Sequence, residues 1–242
     1  MSMLSASLLF AGAASANTNL VTNGGFEATT SGPGQLGYNT DATDWSVPAP
    51  SSSYVFLFAS GGADTTGSNG QYGNLQIWGP GNGSANGLPA SSPNGGNYIG
   101  SDPSFQNGAI SQTIGGLTAG KSYDVSFDWA GAQQAGFTGE TTEGWQVSLG
   151  SETHSTAILT TPSMGFTGWQ TANLTFTATS GSEVLSFLAQ GGPNGSVPPF
   201  ALLDGVSLTA VPEPATWAFM LVGFGGMGAA IRSRRRQAAA TA

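Results

Sequence analysis

The 242-residue chain predicts an all-β protein, an antiparallel two-sheet sandwich, and three observations carry that prediction. The composition holds 38 Gly and 13 Pro with only 7% charged residues, a poor basis for a bundle of amphipathic helices. Several segments alternate apolar and polar residues with period two. No comparable 3.6-residue periodicity runs between the two ends. Short alternating segments joined by Gly- and Pro-rich turns bury one face each, which two stacked sheets satisfy. A domain of this size builds a core without cross-links. Its lack of Cys excludes a Cys nucleophile, a thiolate zinc site and a disulfide framework.

In chain order, residues 1–16 read MSMLSASLLFAGAASA. The apolar run from Leu4 to Ala13 and the small-x-small Ala14-Ser15-Ala16 predict a secretory signal peptide, although no Lys or Arg precedes the run. Residues 17–210 are assigned to the sandwich. From 28 to 108 Pro, Gly, Ser and Asn dominate, and the short apolar pieces Tyr54 to Ala59 and Leu75 to Trp78 are read as strands between long loops. A disordered insert within Ala59 to Asn74 is the alternative. Ile110, Gln112 and Ile114 open a strand that continues through Gly115-Gly116 and Ala119-Gly120 turns. The next strand puts Tyr123, Val125, Phe127 and Trp129 on one face, and Asp124, Ser126 and Asp128 on the other. Ala172, Leu174, Phe176 and Ala178 mark a further half-buried strand, and Ala201 to Leu208 the last.

The C-terminal stretch has a different character. Pro212 and Pro214 cannot both continue a helix, so Pro212-Glu213-Pro214 is an extended hinge. Ala215 to Ile231 carries no charge. As a helix it would be about 25 Å long, marginally enough to cross a bilayer. Trp217 stands where an interfacial aromatic anchors such a helix, and Arg232, Arg234, Arg235 and Arg236 hold its far end in the cytoplasm. Residues 237–242 are a short tail.

The order Val211-Pro-Glu-Pro-Ala-Thr-Trp-Ala-Phe-Met220, Gly-rich apolar helix, Arg cluster resembles the PEP-CTERM sorting signal across residues 211–236. That resemblance implies export by the Sec machinery and a transient inner-membrane anchor. Recognition by an exosortase, a membrane Cys transpeptidase-like enzyme, would follow, with cleavage near the Pro-Glu-Pro hinge and delivery to the cell surface or beyond. It also implies association with exopolysaccharide and biofilm. Gly223 to Gly228 matches GxGxxG, but neither a preceding strand nor a following acid gives it the context of a dinucleotide site.

Charge is divided unevenly. Four of the 5 basic residues lie in the tail, which leaves Lys121 against twelve acids and a body of about −11. Such a body repels phosphate backbones, so nucleic acid is not an expected partner.

A second resemblance runs through the body. Asn19-Leu-Val-Thr-Asn-Gly-Gly-Phe-Glu27 resembles the opening of galactose-binding-like jelly rolls, among them carbohydrate-binding modules. Ile110 to Thr118 followed by Tyr123 to Phe127 is similar to their central hairpin, and Leu203 to Leu208 to their closing strand. In that closing strand Asp204 is in phase with Leu202, Val206 and Leu208, on the face expected to point inward. A carboxylate there is protonated, hydrogen-bonded at a sheet edge, or bound to a cation. The resemblance implies a structural Ca²⁺ shared by Glu27 and Asp204, although Gly205 stands where the pattern has a second acid; no other cofactor is expected.

Catalysis finds little support. His154 is the single histidine, and Gln146-Val-Ser-Leu-Gly150 lacks the first Gly of a nucleophile elbow. Asp124 and Asp128 share a strand face but sit about 13 Å apart, beyond the carboxyl separations of glycosidases. Glu140 and Glu143 are read as part of a solvated loop. Tyr72, Trp78 and Trp145 lie in polar, Gly-rich surroundings and are the candidate sugar-stacking residues, with core packing as the alternative. The reading is an exported, non-catalytic surface or matrix protein, structural or adhesive beside exopolysaccharide. A polysaccharide-binding module is the alternative and a glycoside hydrolase a distant one.

Overall fold

The computed structural model describes residues 18–193 and 196–212, together with 223, 224 and 227. The predicted signal peptide, Glu213, Pro214, Trp217 and the four arginines lie outside the described residues. Among the described residues no helix is long and apolar enough to cross a membrane. The chain divides into one compact unit up to Thr209 and a second from Ala210.

The first unit is built of strands. In order they are β1 (Gly34–Gln35), β2 (Val55–Phe58), β3 (Ser68–Gly70), β4 (Gly73–Leu75), β5 (Tyr98–Ser101), β6 (Ile110–Gly115) and β7 (Ser122–Gln133). There follow β8 (Thr141–Leu149), β9 (Glu152–Ser155), β10 (Leu159–Thr161), β11 (Gln170–Thr177), β12 (Ser182–Gly192) and β13 (Pro199–Ala210). One sheet has six strands in the order β1-β2-β5-β13-β7-β11; the other runs β10-β8-β12-β6, with β9 also on β8. β3 and β4 form a separate hairpin. The long strands β6, β7, β8, β11, β12 and β13 alternate between the two sheets, the wrapping of a jelly roll.

That alternation corrects one expectation. β6 and β7 are not a hairpin: β6 pairs with β12, whereas β7 pairs with β11 and β13 in the opposite sheet. The two Gly turns between them, with Gly116 at φ 79° and Gly120 at φ 82°, carry the chain from one sheet to the other. β8 and β12, absent from the sequence prediction, are the central pair of the smaller sheet.

The side chains between the sheets follow the period-two pattern. Tyr123, Val125, Phe127 and Trp129 of β7 are buried, as are Trp145, Val147 and Leu149 of β8 and Leu185, Phe187 and Ala189 of β12. Phe187 is the hub, with ring centroids 5.1 Å from Phe127, 6.2 Å from Trp145 and 6.2 Å from Trp45. Edge-to-face contacts of this kind add to the gain from burial. Glu143 shares the inward face of β8, fully buried, rather than lying in a solvated loop; Glu140 does remain exposed. The Thr161 hydroxyl donates to Glu143 Oε2, while Oε1 is buried without a partner among the described residues. Burial pushes this carboxyl up to about 7 against the pull of Thr141 and Thr161.

A second apolar layer lies on the opposite face of the larger sheet. Phe56 and Phe58 of β2, Tyr98 of β5, Ala130 and Ala132 of β7, and Phe200 and Leu202 of β13 form one cluster. Ala63, Leu75, Ile77 and Leu88 close over it from the segment between β2 and β5. This explains why all four residues of β2 are buried. It also overturns the alternative of a disordered insert, because the segment is the lid of this layer. The expected strand from Leu75 to Trp78 is reduced to the end of β4 and a bridge between Ile77 and Gln134.

The phase of β13 changes partway along. Phe200 and Leu202 belong to the outer layer, whereas Val206 and Leu208 are buried beyond a glycine, Gly205, at φ 60°. A left-handed residue that shifts the alternation by one place behaves as a bulge. Asp204 therefore shares the outer face with Leu202 and not the inward face with Val206 and Leu208.

Candidate functional site

Four adjacent strands of the larger sheet end together at one edge of the outer layer. Tyr54 precedes β2, Asp102 follows β5, Gln134 follows β7 and Pro198 precedes β13. These residues line a cleft of about 340 Å³, at the lower end of the range for small-ligand sites. Tyr72, Phe105 and Phe137 rise around it, with 63%, 44% and 40% of their surfaces exposed. Ser104 and Ser196 add hydroxyls to the rim.

Each wall is tied down. Tyr72 sits at the tip of the β3–β4 hairpin, and its hydroxyl accepts a hydrogen bond from Gln106 Nε2 (3.0 Å). Gln71 Nε2 donates to Gln106 Oε1 (2.6 Å) and to the Pro50 carbonyl (2.9 Å). The Gln71 N–H donates to buried Gln35 (2.8 Å). Gly70 crosses Phe56 so closely that a Cβ there would lie 2.7 Å from the ring, which holds the hairpin against the sheet. Tyr54, Tyr72 and Phe105 pack with centroids 5.2 to 6.0 Å apart. The Trp78 indole donates to the Phe137 carbonyl (2.7 Å) and so braces the third wall from behind.

The floor carries a carboxyl. Asp102 is 1% exposed, and its Oδ1 accepts the Ser104 N–H (2.7 Å). Burial raises its pKa to about 7, and the N–H groups of Ser104 and Phe105 offset part of that rise. The Tyr54 phenol is pushed up to about 12, first by burial, then by the charge of Asp102 and of Tyr72. Among the described residues no basic side chain lines the cleft.

The three aromatic candidates thus separate. Tyr72 presents a face to the cleft. Trp78 is half-buried and supports Phe137. Trp145 is not a stacking residue: it has no exposed surface, packs on Phe187, and donates its indole N–H to the Leu202 carbonyl across the sandwich (3.0 Å). Asp102, Phe105 and Phe137 escape sequence reasoning because each stands in a loop with no periodicity to mark it.

Asp204 is raised to about 7, chiefly by burial, with the charge of Glu27 a smaller cause. Asp204 accepts the Ser92 hydroxyl at Oδ2 and the Gly205 N–H at Oδ1 (2.7 Å), while Glu27 accepts the Asn97 N–H (2.8 Å). Among the described residues no group of three or more acidic or His side chains is placed to hold a metal. His154 is exposed on β9 and pairs with Glu152 (2.9 Å). Asp124 and Asp128 each accept a threonine hydroxyl from β11, at 2.6 and 2.7 Å.

Residues 210–236 match the PEP-CTERM protein-sorting motif, so the chain carries a signal that directs export and exosortase-dependent sorting. No curated protein matches the chain. Solved structures that it is similar to include the CBM22-1 xylan-binding domain of Paenibacillus barcinonensis Xyn10C, at 12% identity over 83% of this chain and 99% of that one, TM-score 0.40. A cleaved adhesin domain of Lys-gingipain from Porphyromonas gingivalis aligns at 13% identity over 78% of this chain and 96% of that one, TM-score 0.40. The enzymatically active domain of tailspike protein 4 from bacteriophage CBA120 aligns at 14% identity over 80% of this chain, TM-score 0.36; the match spans only 21% of the tailspike's length.

Proposed function

We propose that this is an exported surface protein whose sandwich, residues 17–210, holds a polysaccharide in the aromatic cleft without acting on it chemically. The sorting signal at residues 211–236 passes it through a membrane-anchored intermediate to the cell surface or matrix. The observation that carries the reading is the cleft itself: three exposed aromatic rings, held by a hydrogen-bonded frame, around a polar floor. Flat apolar faces beside hydroxyl and amide partners are what a sugar ring requires. Among the described residues Asp102 is the one carboxyl lining the cleft, whereas glycoside hydrolysis needs two in concert.

The full-length chain, purified in detergent and applied to a glycan array, is expected to retain a defined set of polysaccharides. Tyr72→Ala is expected to lose about fivefold in affinity at unchanged melting temperature, because one stacking ring is worth on the order of 1 kcal/mol. Silence across the array would favour a purely structural role, and sugar release by the purified protein would restore the hydrolase.

We further propose that Glu27 and Asp204 share a structural Ca²⁺. The electrostatic influence of Glu27 on Asp204, and the Asn94 side chain beside both Gly25 and Gly205, support it. Bound there, the ion would neutralise two carboxylates. Thermal melting in millimolar Ca²⁺ is expected to exceed melting in chelator, and the difference is expected to vanish in Asp204→Asn.

A further inference from the structure

The chemical character of the cleft narrows its ligand. Four aromatic side chains, Tyr54, Tyr72, Phe105 and Phe137, surround one carboxyl, Asp102, that is almost wholly withdrawn from solvent. The negative faces of aromatic rings attract cations, most strongly where water is excluded. A carboxylate on the same floor reinforces that attraction. Among the described residues no basic side chain lines the cleft to receive an anion, and residues 17–210 carry twelve acids against one lysine. Its described lining offers no cationic partner to uronic acids or sulfated sugars, and a neutral sugar gains nothing from the charge of the carboxyl.

Resting on the reading of the cleft as a glycan site, we infer that it selects a sugar bearing a free ammonium group, a de-N-acetylated amino sugar within a polymer. The ammonium sits among the ring faces and pairs with Asp102, whose Oδ1 is already oriented by the Ser104 N–H (2.7 Å). The sugar ring lies against the exposed face of Tyr72, which Gln106 holds in place (3.0 Å). Ser104 and Ser196 stand at the rim, within reach of ring hydroxyls. An ammonium beside Asp102 would favour the ionised carboxyl that burial otherwise disfavours. Acetylation of the amine removes the charge and adds bulk, so a cleft of this kind distinguishes the two states of one polymer.

The test is calorimetric titration of the full-length chain with three tetramers: β-1,4-linked glucosamine, its fully N-acetylated form, and the glucose equivalent. The glucosamine tetramer is expected to bind at least tenfold tighter than the other two. Asp102→Asn keeps the Oδ1 acceptor for Ser104 and is expected to fold, yet to bring the three affinities to within about twofold of one another. Phe105→Leu preserves apolar volume without a π face and is expected to narrow the preference in the same direction. Equal affinity for the three tetramers in the parent protein overturns the ammonium inference and leaves glycan binding intact, as does an Asp102→Asn variant that retains the preference. Tighter binding of a lysine-rich peptide than of the glucosamine tetramer also overturns it, since the ammonium would then be a protein's. Failure to bind any tetramer while the glycan array shows other ligands removes this inference alone. Silence on the array as well removes the glycan reading.

Discussion

Three residues show how local surroundings decide a side chain's role. Trp145 follows Gly144 and precedes Gln146, polar company that made it a plausible sugar platform, yet its parity with Val147 and Leu149 turns it into the core. Trp145→Ala is expected to cost about 3–5 kcal/mol in urea unfolding, the usual range for deleting a buried aromatic. Trp145→Phe is expected to cost about 1–3 kcal/mol, because it leaves the buried Leu202 carbonyl without its donor. Gly205 is the second case. At φ 60° a Cβ would be strained and would meet Asn94 at 3.3 Å, so Gly205→Ala is expected to lose at least about 1–2 kcal/mol. Asp204 is the third. Its apparent phase with Val206 holds only for an unbroken strand, and no pattern in Leu203-Asp-Gly-Val discloses that the glycine takes a left-handed turn. The inward strand residues were legible from alternation; the bulge beside them was not.

At the level of elements, legibility follows periodicity in the same way. β7, β11 and β13 announce themselves because one face of each meets the core and the other meets polar surroundings over much of its length. β2 is a continuous run, VFLF, buried on both faces, and its length and β-branched or aromatic content identify it without saying why it is apolar throughout. The reason lies in the outer layer, which Ala63, Leu75, Ile77 and Leu88 close from a segment too rich in Gly and Asn to read as a lid. The cleft was illegible for a related reason: its members come from five separated stretches that the fold brings together. A link between lid and cleft is expected to show in Phe56→Ala. Phe56 meets the Tyr54 ring edge-to-face (4.7 Å) and lies under Gly70. The variant is expected to lose about 3–5 kcal/mol. The amides of Ser68 to Leu75 are expected to exchange faster with solvent than in the parent, which hydrogen-exchange mass spectrometry reads directly.

For the whole molecule the most general prediction concerns pH. Asp102, Glu143 and Asp204 are each raised to about 7, burial being the largest cause in every case. In the unfolded chain the same groups lose their protons near pH 4. Between these limits the folded state binds more protons than the unfolded state, so stability is fully present below about pH 4 for this set and falls as pH rises through 7. Melting in chelator is expected to be lower at pH 8 than at pH 5 by roughly 5 °C or more, given the 2–4 °C that each kcal/mol moves a domain of this size. Replacement of Asp102 by Asn is expected to flatten part of that slope. Glu152 and Glu183, whose carboxyls are held below the ordinary range by hydrogen bonds from neighbouring backbone and side-chain donors, pull in the opposite sense at lower pH.

The place of β13 has a bearing on biogenesis. It is the last strand in the chain, yet it lies between β5 and β7 near the middle of the larger sheet. Until its residues arrive, the two halves of that sheet have no shared ladder, and the floor of the cleft lacks Pro198. A polypeptide threading outward from its N-terminus would complete the larger sheet and the cleft only as residue 210, where the sorting motif starts, is reached.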